Sequence, residues 1–357
     1  MGSVSRLCNP HSYPRATLSL ARILQQFNMV PARIDSPQRS TEFHEQQRPK
    51  LYMIDKFHPE AVKHAQQLFD VVLPTDPEIQ NWESNARYLL VKGSHITASQ
   101  VAATKDLRAI GKQGVGLDKI ELHACSEADI KVFNTPGANA GSVAELVLGL
   151  TMAVARQIGS IQVKQNSGQL VPKETCQGQT LRGKRLGLIG MGNISKEVAR
   201  IFRGAFDADI VAFDPYLPTG AWQDIEHVRL TTVEEVLRAA DILSIHVPLT
   251  LETRDLIRLE EMRLLRPTSI IINAARGGIV NEDDLAVALE EGIIWGAGLD
   301  CHVEEPPSKD TYGRLWRHPR VVSTPHIGAA TSETQRDTAK AAIDYVYRYA
   351  TESQLQR

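Results

Sequence analysis

The sequence predicts an α/β protein with two regions of parallel sheet, and three observations predict it. Short apolar runs alternate with helically spaced segments from residue 50 onward. The alternation halts in a polar stretch rich in Gly and Gln at 158–183 and restarts at 185. A length of 357 residues suits roughly two domains. Strands that alternate with helices pair in parallel, and the crossover helices then cover both faces of each sheet.

The first residues stand apart. Positions 1–34 carry Arg6, Arg15, Arg22 and Arg33 but no acid, and Leu20, Ile23, Leu24 and Phe27 would line one face of a helix. Residues 1–49 read as a leader outside the fold, either disordered or an upstream extension with a working start at Met29. An Arg-rich, acid-poor amphipathic start is also the pattern of a mitochondrial presequence. The expected location is cytoplasmic, with the mitochondrion as the alternative.

From Lys50, residues 51–55 read as a strand, 58–68 as a helix, and 69–73 and 87–91 as strands. A helix is expected at 97–104, a strand at 107–111, a short helix at 118–125 and a strand at 131–135. The turn-rich Asn134-Thr135-Pro136-Gly137 precedes a long apolar helix at 140–157. After the polar connection, strands are expected at 185–190, 208–214, 241–247, 269–274, 295–300 and 321–324, then a last helix from about 331 to 350. No solenoid repeat or low-complexity tract interrupts this order.

Composition narrows the function. Lys plus Arg number 40 against 42 Asp plus Glu, a net charge of −2, which gives no electrostatic case for nucleic acid or an anionic membrane. No apolar run approaches the roughly 18 residues of a membrane helix. Cys8, Cys125, Cys176 and Cys301 are widely spaced with no CxxC pair, so free thiols and no metal are expected. The expected partner is a small molecule.

The sharpest local signal is Leu186-Gly187-Leu188-Ile189-Gly190-Met191-Gly192-Asn193-Ile194-Ser195, an apolar strand, a glycine turn and a helix start. Gly190 permits the tight turn and Gly192 lets backbone approach a pyrophosphate, which the helix N-terminus then attracts. Ser195 stands at the third glycine position, where a small side chain is tolerable. The next strand, Ile210-Val211-Ala212-Phe213, ends in Asp214, 24 residues after Gly190. A carboxylate there accepts from a ribose diol and repels a 2′-phosphate, so the expected cofactor is NAD. A second glycine pattern, Gly178 to Lys184, is no P-loop: Arg185 replaces the magnesium-binding hydroxyl, and the segment precedes its strand.

Three strand ends carry unusual polar groups. Arg276 follows Asn273-Ala274-Ala275 and precedes Gly277-Gly278; its planar fork suits a carboxylate, although a lone Arg there also suits a surface salt bridge. Asp300-Cys301-His302-Val303-Glu304-Glu305-Pro306-Pro307 runs from a strand into acids. His326 lies in Thr324-Pro325-His326-Ile327-Gly328-Ala329. A His and a Glu at one crevice mouth make an acid–base pair in which the carboxylate orients the imidazole and favours its protonated form.

With these motifs, together with Gly114-Val115-Gly116-Leu117-Asp118, residues 50–350 resemble the D-isomer-specific 2-hydroxyacid dehydrogenases, in particular short members like D-3-phosphoglycerate dehydrogenase without a regulatory domain. The resemblance implies two Rossmann-like or flavodoxin-like domains with a cleft between them: a substrate domain at 50–141 plus 325–357, and an NAD domain at 142–324. It implies that Arg276 binds the substrate carboxylate, that His326 exchanges the proton, and that Glu305 pairs with His326, Glu304 being the competitor. Asn193 and Ile194 would face the pyrophosphate. Asp300 and the backbone at Ala274 would face the nicotinamide end, and Val247, Ala275, Arg276, His326, Gly328 and Ala329 would also contact the cofactor. Backbone amides of the loops at Lys92-Gly93-Ser94 and Val115-Gly116 would meet the substrate carboxylate. A homodimer formed through the cofactor domain is implied as well.

This chain departs from the pattern in places. Val115 and Val247 stand where relatives often have Thr, and Lys92 where phosphoglycerate enzymes tend to have Arg. About three extra residues in 308–319 are expected to lengthen a surface loop. The function expected is interconversion of a 2-oxo acid and a D-2-hydroxy acid, with glyoxylate, hydroxypyruvate and 3-phosphoglycerate chemistry open. A formate dehydrogenase would need no Glu partner for its His. The alternative from another class is an NAD(H)-sensing, corepressor-like scaffold without catalysis.

Overall fold

The computed structural model describes residues 48–355, so the expected leader lies, but for its last two residues, outside the described residues. From Arg48 onward the chain forms one unit built on two parallel sheets of five and seven strands.

β1 (Lys50–Met53) leads into α1 (Pro59–Leu68), which starts where its sequence favours. His58 accepts the Glu60 amide at 3.2 Å, and Pro59 takes the first helical position, whose N–H needs no partner. β2 (Asp70–Val72), the short α2 (Trp82–Asn85) and β3 (Tyr88–Val91) follow. In α3 (Ala98–Ala103), Thr97 and Gln100 satisfy each other's amides as a capping box. β4 (Ala109–Lys112), α4 (Leu122–Glu127) and β5 (Lys131–Phe133) complete a sheet of order β2-β1-β3-β4-β5. Every residue of β3 and β4 is buried, which is why those strands read as continuous rather than alternating apolar runs.

α5 (Ala140–Ala155) buries Val143, Val147, Leu150 and Val154 against the second sheet. It stops short of 157 because Gln157 takes a left-handed conformation (φ 55°). The chain then enters α6 (Ile158–Asn166), none of whose residues is buried. The polar connection therefore begins as an exposed helix, since polar composition keeps it from the core without preventing helical hydrogen bonds. Among the described residues no single helix is long and apolar enough to cross a membrane; α5 and α6 pass such a test only as a pair bent by 65°.

The second sheet is built from β6 (Arg185–Ile189), α7 (Asn193–Phe206), β7 (Asp209–Phe213), β8 (Val228–Arg229), α8 (Val233–Ala239), β9 (Ile242–Ile245), α9 (Leu259–Met262), β10 (Ile270–Asn273), α10 (Glu282–Glu290), β11 (Gly296–Leu299), α11 (Lys309–Trp316) and β12 (Val321–Ser323). Its order is β12-β11-β10-β9-β6-β7-β8. The winding reverses between β6 and β9, so a crevice opens beyond their carboxyl ends, where open α/β sheets bind ligands. α5 and α7 cover one face and α8 to α11 the other.

Two expectations are corrected here. The segment 308–319 is no lengthened loop: Ser308 caps α11 through the Thr311 amide at 3.3 Å, and Tyr312 and Leu315 are buried. The helix expected at 118–125 begins only at Leu122, because Lys119 and Glu121 exchange backbone hydrogen bonds with Ile96. Asp118 is thereby left in an open loop. α12 (Ser332–Leu355) returns to the first sheet and lays Ala339, Ala342, Ile343 and Val346 over β3 and β4.

Candidate active site

Arg276 emerges two residues beyond Ala274 on a turn held from inside. Asn273, buried at the end of β10, accepts the Ala275 amide at 3.1 Å and donates to the Arg276 carbonyl at 2.9 Å. The guanidinium Nη1 donates to the Ala275 carbonyl at 2.6 Å, while Nε and Nη2 both reach Asp118 Oδ1, at 3.2 and 3.0 Å. Burial pushes the Asp118 carboxyl up, but the charge and hydrogen bonds of Arg276 outweigh it and hold the group below the usual carboxylate range. Two glycines make room for this arm. A Cβ on Gly277 would stand 2.0 Å from the His302 carbonyl carbon, and one on Gly116 would stand 1.9 Å from Arg276 Nη2.

His326 follows β12 with a left-handed backbone (φ 59°), a conformation that costs a non-glycine residue about 1–2 kcal/mol. Asp300, 1% exposed, supplies the compensation. Its Oδ1 accepts from Thr324 Oγ1 at 2.6 Å and the Ile327 amide at 2.8 Å, and its Oδ2 accepts the Gly328 amide at 2.8 Å. One buried carboxylate thus grips the chain on both sides of the histidine. His326 Nδ1 lies 3.0 Å from each Glu305 oxygen. Glu305 also accepts the His302 amide at 3.2 Å, which fixes its orientation. Burial pushes the Glu305 carboxyl up, yet the His326 hydrogen bond and charge bring it below its ordinary value. Glu304 turns away and accepts from Thr311 Oγ1 at 3.0 Å. Among the described residues His326 Nε2 has no hydrogen-bond partner.

The dinucleotide cradle forms at the reversal point of the sheet. Gly190 (φ 87°) admits no side chain: a Cβ would meet the His246 carbonyl oxygen at 2.4 Å and Val247 Cγ1 at 2.9 Å. A Cβ on Gly192 would meet nothing within 4 Å, so this face is open, and no side chain caps the start of α7 at Asn193-Ile194. The first-turn amides are therefore oriented toward an open approach, as a pyrophosphate requires. Ser195 is more than tolerated: fully buried, it donates to the Gly190 carbonyl at 2.6 Å. Asp214 closes the cradle, its Oδ2 accepting the Met191 amide at 2.8 Å and its Oδ1 those of Tyr216 and Leu217 at 2.9 and 3.0 Å. A glycine turn that a Cβ would fill, an uncapped helix start and a terminal carboxylate fit NAD.

The substrate loops divide. The amides of Lys92, Gly93 and Ser94, expected to meet the substrate carboxylate, already converge on Asp55 Oδ2 at 2.6, 3.1 and 3.3 Å, and Ser94 Oγ donates to Oδ1 at 2.8 Å. An internal carboxylate occupies that nest, which is a correction. Among the described residues the Val115 and Gly116 amides have no acceptor, and the Asn134 side chain holds the Val115 carbonyl at 2.7 Å. Lys112, which the sequence reading passed over, is buried; its ammonium donates to the carbonyls of Lys92 and Gln113, both at 2.7 Å, and burial pushes it down to about 8. The sequence reading assigns no role to Asp55, Asp118 or Asn273. Asp118 and Asn273 stand inside motifs, the glycine run from Gly114 and the run before Arg276, whereas nothing local marks Asp55.

A family model described as "D-isomer specific 2-hydroxyacid dehydrogenase, NAD binding domain" matches residues 148–328. The chain is 40% identical over 253 residues to a hydroxypyruvate reductase of Thermotoga maritima, covering 71% of this chain and 81% of that one. It is 35% identical over 291 residues to a D-3-phosphoglycerate dehydrogenase of Methanocaldococcus jannaschii, covering 80% of this chain but only 55% of that longer protein. The crystal structure of the TT0316 protein from Thermus thermophilus superposes with a TM-score of 0.74 at 29% identity, over 83% of this chain and 95% of that one.

Proposed function

This chain belongs to the D-isomer specific 2-hydroxyacid dehydrogenases, NAD-dependent oxidoreductases, and from that premise we propose that Arg276, Glu305 and His326 interconvert a 2-oxo acid and a D-2-hydroxy acid. The observation that carries the reading is the Nδ1 of His326 held 3.0 Å from both Glu305 oxygens, with Arg276 issuing from the same sheet. Gly190 to Ile194 would hold the pyrophosphate of NAD and Asp214 its ribose diol, and the bound cofactor would supply or accept the hydride. Arg276 binds the substrate carboxylate, assisted by the amides of Val115 and Gly116, and polarises the carbonyl. His326 gives the proton on Nε2 to the carbonyl oxygen in reduction and recovers it in oxidation. Glu305 holds the ring through Nδ1 and stabilises the imidazolium.

We read 50–141 with 325–357 as the substrate half and 142–324 as the cofactor half, and two copies as pairing through the latter. A short hydroxylated 2-oxo acid of the hydroxypyruvate kind is the favoured substrate. Support comes from the hydroxypyruvate reductase relative, 40% identical over 253 residues and matched over 81% of its length. The test is NADH consumption with hydroxypyruvate, glyoxylate, 3-phosphohydroxypyruvate and other 2-oxo acids. Failure to turn over any of them, in protein that binds NADH, sinks the reading.

A further inference from the structure

We propose that Cys301, Glu305 and His326 form a binding site for one borderline-soft divalent ion of the zinc type, and that the ion arrests the chemistry by claiming the acid–base pair. The arrest rests on the function proposed above; the binding does not.

Cys301 comes two residues after β11 and is 1% exposed, its sulfur donating to the Ala275 carbonyl at 3.3 Å. One donor atom from each of Cys301, Glu305 and His326 lies within 4.8 Å of the others. A mixed sulfur, nitrogen and oxygen set suits zinc and its neighbours, whereas magnesium and calcium prefer oxygen alone. His326 Nδ1 and the Glu305 oxygens already lie 3.0 Å apart, so zinc distances require this pair and the Cys301 sulfur to draw together. The Glu305 and His326 side chains are 35% and 40% exposed, so an ion reaches the set from solvent.

The charges balance as well. The Cys301 sulfur donates to the Ala275 carbonyl, so the free protein carries S–H. On binding, the S–H bond breaks, the proton passes to solvent, and the sulfur electron pair forms the metal–sulfur bond. Thiolate and carboxylate together cancel the charge of the ion, which supplies the counter-charge that the buried sulfur otherwise lacks. Three protein donors leave a fourth tetrahedral position for water. The reaction assigned above requires no metal, so occupancy removes the proton carrier and adds no activity.

The test uses the full chain with Cys8→Ser and Cys176→Ser, so that neither thiol competes, and Co2+ as the spectroscopic probe. The expected result is about one Co2+ per chain with a thiolate-to-cobalt band in the near ultraviolet. Zn2+ should displace it, abolish NADH oxidation in proportion to occupancy, and be reversed by a chelator. Cys301→Val, apolar and of similar size, should keep basal turnover, lose the band and need at least about tenfold more Zn2+ for half-inhibition. A parent protein without the band, or a valine variant with the same band or the same zinc sensitivity, overturns the site. If the parent reduces no 2-oxo acid, the function reading fails while the band still decides the site.

Discussion

Arg276 reaches from one sheet to Asp118 of the other, with Nη2 3.0 Å and Nε 3.2 Å from the same carboxylate oxygen. The two donors that face this anion are the fork a substrate carboxylate would need. Asp118 therefore orients the guanidinium and competes for it.

Replacing the charge while keeping an acceptor separates these roles. Asp118→Asn should lower KM for the 2-oxo acid by about two- to fivefold with kcat nearly unchanged, a small effect because the pair is partly exposed. Asp118→Ala, which also removes the orienting contact, should lower kcat. Steady-state kinetics on both variants decides, and equal KM increases would show that orientation alone matters.

The acid–base pair has its own signature. His326→Gln should reduce kcat by about 10²–10⁴ and leave NADH affinity within about twofold. Glu305→Gln should cost less, about tenfold in kcat, because the ring loses the carboxylate that holds it through Nδ1. Fluorescence titration with NADH and steady-state kinetics measure the two effects. An unchanged kcat in Glu305→Gln would remove Glu305 from the mechanism.

Gly116 tests the close approach beside Arg276. A Cβ there would fall 1.9 Å from Nη2, so Gly116→Ala should displace the guanidinium and lower kcat/KM for the 2-oxo acid by about a hundredfold. Thermal unfolding should stay close to that of the parent, because the clash is with a flexible side-chain tip.

Asp55 carries a pH-dependent contribution to stability. Burial pushes its carboxyl up, but the Lys92, Gly93 and Ser94 donors hold it below the usual range. The unfolded chain therefore takes up this proton at higher pH than the folded one. The stabilisation is complete above the ordinary carboxylate range and is lost as pH falls through the folded value. Asp55→Asn should cost about 1–2 kcal/mol at pH 7 by urea unfolding, and the gap to the parent should shrink below about pH 4.

Cofactor choice should depend on Asp214. The parent is expected to use NADH far better than NADPH. Asp214→Ser should narrow that preference while raising KM for NADH about tenfold, since it also removes the acceptor for three amides. A variant that keeps the full NADH preference would place the discrimination elsewhere.

What the sequence made legible was local or periodic. The Gly190 turn and Asp214 announce the cradle because strand, turn, helix and next strand are contiguous. Arg276, Glu305 and His326 could be singled out because each follows a strand on a glycine- or proline-bounded loop. Glu305 is preferred to Glu304 only through the family resemblance; in the structure the Thr311 hydroxyl holds Glu304. Non-local electrostatics escaped: Asp55 fills a nest 37 to 39 residues away, so free-looking amides read as substrate contacts. Asp300 also holds the turn around His326 from 24 to 28 residues away, a role that no local pattern announces. α11 was hidden because only Tyr312 and Leu315 in it turn inward, too short a pattern to stand out beside its polar residues.

Arg276 follows β10, Glu305 follows β11 and His326 follows β12, three adjacent strands of one sheet. Asp300 on β11's end ties the histidine turn into that same frame. Gly116, Asp118 and Lys92 ride on the other sheet. The trio therefore stands on a single frame, its spacing set by the register of neighbouring strands, and Arg276 reaches from that frame to the other sheet at Asp118.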